Sequence, residues 1–295
     1  LLFAKLYFMR SIHSHAHSHS PPGQAPLPLR TLPRAAGKPR PILFVTSEHA
    51  ELVKVGGLGE VSAALPKALA NRHQVRLIIP GYRQVLQSGH PIQVVGSLPS
   101  HAGLPACHIG LMHLRNGLPV YVVLCPELYE RDGNPYSDSS GHDWADNPVR
   151  FARLSLAAAD IARGQGITQN GEPDWQPELV HAQDWPTGLT LAYMKWQGQT
   201  TPSVFTIHNL AHQGLCDPSM ANRLGLPPEA MSMDSMEFYG QLSFIKAGIS
   251  YASQVTTVSK TYAKEITQPA FGCGLDGLLS LKFKQNKLSG ITNGI

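Results

Sequence analysis

The chain reads as an α/β protein with a doubly wound, mainly parallel sheet, and two features carry that reading. Short apolar runs recur along the chain, the composition of parallel strands buried on both faces. Polar clusters, at Lys54–Glu60, Asp184-Trp185 and His208-Asn209, come after such runs. In an open parallel sheet, ligands bind at the carboxyl ends of the strands, so this Rossmann-like pattern brings the three clusters to one edge.

The first strand is Ile42-Leu43-Phe44-Val45-Thr46. A loop, Lys54-Val55-Gly56-Gly57-Leu58-Gly59-Glu60, follows, and Leu58, Val61, Leu65, Ala68 and Leu69 then recur at helical spacing. Val75 to Ile79 is the next strand, closed by Pro80-Gly81, which completes a strand–loop–helix–strand unit. Val94-Val95 and Tyr121 to Leu124 are further strands, the second ended by Pro126. Asn147-Pro148 opens a helix, since Asn caps free amides and Pro suits the first helical position. Phe151, Leu154, Ala158 and Ile161 then line one face. Leu179 to Ala182 and Ser203 to Ile207 are strands leading to Gln183-Asp184-Trp185 and to His208-Asn209. A helix over Ser243–Ala252 precedes a strand at Val255–Val258, and Leu288 to Thr292 is the last strand.

Composition narrows the function. The 295 residues are 42% hydrophobic and 15% charged, with 27 Gly and 24 Pro, which supplies a core and excludes wholesale disorder and collagen. No apolar run reaches the roughly 18 residues of a membrane helix, so no membrane partner is expected. Cys107, Cys125, Cys216 and Cys273 are scattered without a CxxC pair, as for reduced thiols in a cytoplasmic protein. The net charge of +4 divides unevenly: residues 1–40 hold six Lys and Arg and no acid, and the rest holds 18 against 20 acids. The body is not basic, and no nucleic-acid footprint is expected.

Residues 1–40 read as a disordered tail. Leu1 to Phe8 is too short for a signal peptide, and Met9 is a candidate start. His13, His15, His17 and His19 alternate, a pattern that binds transition metals incidentally. Seven prolines between Pro21 and Pro41 make a linker. The segment has too few Ser and no amphipathic stretch for a plastid transit peptide.

The clusters leave alternatives open on spacing alone. The glycine loop suits close approach to a phosphate at a helix start, with Lys54 adding charge, or else is a tight turn. A P-loop fails, because Gly59-Glu60-Val61 stands where Gly-Lys-Ser/Thr is needed. A dinucleotide fingerprint is a weak match, with Ser62 for the third Gly or Ala and no acid after the second strand. Asp184 positions a sugar hydroxyl or caps a helix; His208 donates to a substrate or is a core histidine. Tyr129, Tyr136, Trp144 and Trp185 offer faces for sugar rings or fill the core. No spacing in the body resembles a zinc site, and no cofactor or metal is expected.

Longer blocks carry a resemblance. Lys54-Val55-Gly56-Gly57-Leu58 resembles the Lys-x-Gly-Gly-Leu loop of bacterial glycogen synthases and plant starch synthases. Pro126 to Arg131 with Gly133 to Tyr136, Asp143-Trp144, Asp146-Asn147 with Arg150-Phe151, and His181-Ala182-Gln183-Asp184-Trp185 are similar to that family's next blocks. So are Thr206 to Gly214, Phe244 to Gly248, Thr257 to Ser259 with Tyr262, and Gly274 to Leu278. The similarity spans residues 42–295.

The resemblance implies a two-domain GT-B glycosyltransferase, a retaining hexosyltransferase that moves glucose from ADP-glucose to the non-reducing end of an α-1,4-glucan such as glycogen, without a catalytic metal. It implies that residues 41–295 are the N-terminal, acceptor-side domain, with the donor-binding domain absent from a chain that stops at Ile295. The chain alone is then expected to be inactive; the alternative is a non-catalytic glucan-binding fragment. Carried over by motif, Lys54, Gly56 and Gly57 would face the donor phosphates and the reacting glucose. His208 would hydrogen-bond that glucose, with Asp184 beside it. Glu48, Tyr129, Trp185, Asn209 and Asn293 would line the cleft. Gln183 stands where His is usual, Glu60 where Asp is common, His212 where Tyr is usual, and Lys260 where Pro is usual.

Overall fold

In the computed structural model, residues 38–168 and 175–294 are described. The chain divides into two units, Leu1–Lys38 and Pro39–Ile295. The His- and Pro-rich tail lies outside the described residues except for its last three positions.

Strand β1 (Pro41–Val45) leads through the glycine loop into helix α1 (Gly57–Ala70) and back into β2 (Gln74–Pro80). β1 and β2 pair in parallel, which completes the expected unit. Helix α1 turns Leu58, Gly59, Ser62 and Pro66 inward and leaves Ala68 exposed, so its buried stripe is rotated from the one read by spacing. After a short helix α2 (Arg83–Leu86) come β3 (Gln93–Leu98), β4 (Cys107–His113) and β5 (Pro119–Leu124). β5 pairs with β2 in parallel, and β4 and β3 extend the sheet antiparallel.

Beyond α3 (Pro126–Tyr129), helix α4 (Asn147–Ala162) crosses to β6 (Leu179–Gln183), which pairs with the other side of β1. Then follow α5 (Leu189–Trp196), β7 (Ser203–Ile207), β8 (Leu215–Cys216), α6 (Met220–Leu224), β9 (Glu237–Phe238) and β10 (Gln241–Ser243). Last come α7 (Phe244–Tyr251), β11 (Gln254–Thr257), α8 (Lys260–Glu265), α9 (Asp276–Lys284) and β12 (Leu288–Gly290). The sheet order is β12-β11-β7-β6-β1-β2-β5-β4-β3, and β8-β10-β9 form a separate antiparallel patch.

The chain thus leaves β1 in one direction through α1 and later grows the sheet in the other direction through α5 and α7. Right-handed crossovers in opposite directions place these helices on opposite faces, which is the doubly wound arrangement. The strand order reverses between β1 and β6, and that reversal opens a crevice at their carboxyl ends.

Helix α4 departs from expectation. Residues Val149 to Ala162 are buried on every side, not along one stripe, because α5 and the sheet cover it together. Its two arginines are enclosed by acceptors: Arg150 donates to Leu128 O and Pro135 O at 2.8 and 2.9 Å, and Arg153 donates to Pro99 O and Pro105 O, each at 3.2 Å. Asn147 is the first helical residue and not the cap. Its side chain donates to Tyr136 O and accepts from Arg150 instead. Ser243 does cap α7, with Oγ accepting from Lys246 N.

Candidate active site

The crevice at the strand tips is a cleft of about 1010 Å³. Glu48, Gly56, Gly57, Asp184, Trp185, His208, Asn209 and Asn293 all line it. Each comes from the carboxyl side of a different part of the sheet: β1, the loop before α1, β6, β7 and β12.

Glu48 folds the glycine loop. Its Oε2 accepts from Val55 N at 2.7 Å and Gly56 N at 2.9 Å, and its Oε1 accepts from Tyr136 Oη at 2.6 Å. The carboxylate is 3% exposed, so it acts as a clamp more than as a wall. The clamp consumes two loop amides. The next ones, of Gly57 and Leu58, open α1, where first-turn N–H groups lack helical acceptors and carry the positive end of the helix dipole.

The loop glycines separate into two kinds. A Cβ on Gly59 would sit 3.0 Å from Lys54 Cγ and 3.4 Å from Glu48 Oε2, so packing is tight there and the Lys54 stem would have to give way slightly. A Cβ on Gly56 or Gly57 would meet nothing within 4 Å, and Gly56 has the extended dihedrals φ −137° and ψ −163° that any residue adopts. The fold does not require glycine at these two positions. Both line the cleft, where the absence of a Cβ leaves the backbone open.

Lys54 is not among the lining residues. Its ammonium pairs with Glu60 of α1 in an exposed ion pair. Tyr129 is a correction to the expected cleft wall. It is 1% exposed, its Oη donates to Arg150 O at 2.7 Å, and its ring meets Tyr82 edge-on. The short helix α3 turns it into the core, and the family-like segment around it supports the wall from behind.

Asp184 joins β6 to β7. Oδ1 accepts from Trp185 N at 2.7 Å, while Oδ2 accepts from His208 N at 3.0 Å and Asn209 N at 3.1 Å. Its backbone has φ 59° and ψ −179°, a region that costs a non-glycine residue about 1–3 kcal/mol and persists only where the surroundings fix it. The three amide bonds provide that fixation. Burial outweighs them in its titration and pushes the carboxyl up to about 6. Asp184 is both a cap of the turn at Trp185–Thr187 and the tie that orients His208 and Asn209.

His208 is half-buried, and burial lowers its imidazole to about 4, so it is neutral at pH 7. Its Nε2 lies 2.9 Å from Gln183 Oε1. Trp185 packs on Phe151, Tyr136 and Phe244 with centroid distances of 4.8, 6.0 and 6.4 Å. Gly214 is required beside it, since a Cβ there would fall 2.3 Å from Trp185 Cε3 and its φ is +60°. Tyr136, Trp144, Trp185 and Phe244 give the cleft an aromatic side. Asp217 and Phe244 also line it and were not expected there. Asp217 follows the two-residue strand β8 and Phe244 the three-residue strand β10, both too short to show a period. Among the described residues no three His, Cys, Asp or Glu side chains gather as a metal site, and no helix is long and apolar enough to cross a membrane.

The sequence profile of the family described as "Starch synthase catalytic domain" matches residues 41–281. The chain belongs to that family. Among curated relatives, glycogen synthase of Pseudomonas savastanoi pv. phaseolicola is 59% identical over 256 residues, covering 87% of this chain and 52% of that protein. Glycogen synthase of Pseudomonas aeruginosa is 59% identical over 254 residues, covering 86% and 48%. A solved structure, the catalytic domain of starch synthase IV from Arabidopsis thaliana bound to ADP and acarbose, superposes with a TM-score of 0.70 at 28% identity, covering 88% of this chain and 52% of that one. The chain therefore spans about half the length of the relatives it matches. The family's catalytic domain is a GT-B glycosyltransferase, and the mostly parallel sheet described above is the corresponding part of it.

Proposed function

We propose that residues 41–295 form the acceptor-side wall of a glycogen or starch synthase, in which glucose passes from ADP-glucose to the non-reducing end of an α-1,4-glucan with retention of configuration. One observation carries the reading: a single cleft joins a helix start with two glycines that packing does not demand to a wall rich in aromatic and polar side chains. The first suits a diphosphate and the second suits sugar rings.

Breaking the bond between glucose and diphosphate builds positive charge on the sugar and negative charge on the leaving group. The Gly57 and Leu58 amides are donors fixed before the reaction, so they stabilise the leaving phosphates without reorganising. Lys54 joins them at little cost, because the exposed pair that it leaves with Glu60 is worth at most about 1 kcal/mol. His208, being neutral, contributes a hydrogen bond to the sugar and no charge. Asn209 and Asn293 offer further amide groups to hydroxyls. The donor-binding domain would supply the other wall, and closure of the two would exclude the water that competes for the sugar cation. The four cysteines are free, with Cys107, Cys125 and Cys216 buried, which supports a cytoplasmic location.

The test is co-sedimentation of the purified chain with glycogen, alongside ADP release from ADP-glucose. We expect retention on glycogen that soluble maltopentaose competes away, and ADP release far below that of a full-length relative. No glycogen retention together with tight NAD binding would replace this reading with a dinucleotide-binding one. Transfer at full-length rates would show that one wall suffices.

A further inference from the structure

Gln183 ends β6 and is completely enclosed. One end of its side-chain amide faces His208, with Oε1 and the ring Nε2 2.9 Å apart. The other end, Nε2, is buried and has no hydrogen-bond partner among the described residues. His208 follows β7 directly, and the β6–β7 ladder, with Gln183 opposite Thr206, fixes the pair. A neutral imidazole carries one N–H and one lone pair, so whatever faces Nε2 decides which nitrogen holds the proton.

Amide oxygen and nitrogen are assigned from the network around them. With the oxygen toward His208, the ring donates from Nε2 and both N–H groups of Gln183 remain buried and unpaired. With the amide turned over, Gln183 donates one N–H to the lone pair on His208 Nε2. One N–H and the carbonyl oxygen are then left. Buried orphan N–H groups are rarer than under-satisfied carbonyls, and each orphan carries a desolvation penalty, so the turned amide is the lower in energy. It leaves the imidazole proton on Nδ1. That nitrogen has no partner among the described residues, it is not enclosed, and the ring lines the cleft.

We propose that Gln183 is a positioning residue that locks His208 in the Nδ1–H form, so that the cleft receives a neutral hydrogen-bond donor at this point. Such a donor selects an acceptor oxygen on the ligand, a sugar hydroxyl or a phosphate oxygen. That use rests on the function proposed above; the tautomer itself does not.

The test is long-range ¹H–¹⁵N correlation of the imidazoles in the full 295-residue chain at pH 7. His208 is assigned by the signal missing in His208→Gln. The wild type is expected to show the Nδ1–H pattern for His208, and Gln183→Leu is expected to lose it while the other histidines keep theirs. An Nε2–H pattern in the wild type overturns the proposal, and so does an unchanged Nδ1–H pattern in folded Gln183→Leu. Should that variant not fold, the wild-type spectrum decides alone. A chain that shows the Nδ1–H form and binds neither glucan nor nucleotide sugar would keep this inference and sink the functional one.

Discussion

Changing Glu48 to glutamine isolates the clamp on the glycine loop. The carboxylate accepts from Val55 N, Gly56 N and Tyr136 Oη at 2.7, 2.9 and 2.6 Å. Glutamine keeps the length and one acceptor oxygen, which can hold both loop amides. Its NH₂ then faces Tyr136, whose hydroxyl can turn its proton toward Ser47 Oγ, 2.9 Å away. The second N–H of the new amide finds no acceptor among these partners, so its desolvation adds to the lost charge assistance of about 1 kcal/mol for each of the three bonds. Easier burial of a neutral side chain offsets part of it, leaving a net loss of about 2 kcal/mol. Through local opening, that makes the Val55 and Gly56 amides exchange with solvent roughly 30-fold faster. Hydrogen exchange resolved to these residues is the assay, with the β1 and β6 amides as internal reference. Unchanged exchange at residues 55 and 56 would refute the clamp, and equal acceleration in β1 and β6 would show that Glu48 supports the whole fold.

Gly57→Ala is expected to leave thermal stability unchanged within about 0.5 kcal/mol and to weaken ADP-glucose binding by calorimetry, since its Cβ meets no protein atom; unaltered binding would remove the loop from the site. Asp184→Ala orphans three buried backbone N–H groups, roughly 6 kcal/mol in all, and relieves the carboxylate's burial cost, so urea unfolding should show a net loss smaller than that sum. Acidification tests the buried histidines. His181 and His208 have folded values of about 3 and 4, below the unfolded 6.5, so their contribution is complete above pH 6.5 and is lost as pH falls. Asp184, raised to about 6, acts in the opposite sense and regains stability as pH falls. From pH 7 to 5 the two histidines lose about 4 kcal/mol together and Asp184 returns about 1, a net loss of about 2–3 kcal/mol by urea unfolding. Equal stability at the two pH values would show that these imidazoles are not held neutral.

The parallel strands were legible because each is a compact apolar run, while the order of the sheet came from the coordinates. Helix α4 misled because Arg150 and Arg153 mimic a solvent face. Only coordinates show both guanidinium groups sunk among backbone carbonyls of four other segments. β4 went unread because His108, Gly110 and His113 break its run, although its place between β5 and the edge strand β3 accepts them. The segment from Leu215 to Ser243 is built of elements too short for any periodicity.

At the site, residue type was legible and role was not. Gly56, Gly57 and Gly59 look equivalent in the sequence, and only the third is closely packed by its neighbours. The two buried acids show the same limit. Asp184 invites assignment as a catalytic carboxylate and Glu48 as a cleft wall, yet five backbone amides and a tyrosine hydroxyl bond to their oxygens. What these acids do is aim donors, namely the start of α1 and the His208-Asn209 tip, at a common space. In the reaction proposed above, such a wall would stabilise developing negative charge on the departing diphosphate and hold sugar hydroxyls in place, through donors that Glu48 and Asp184 orient.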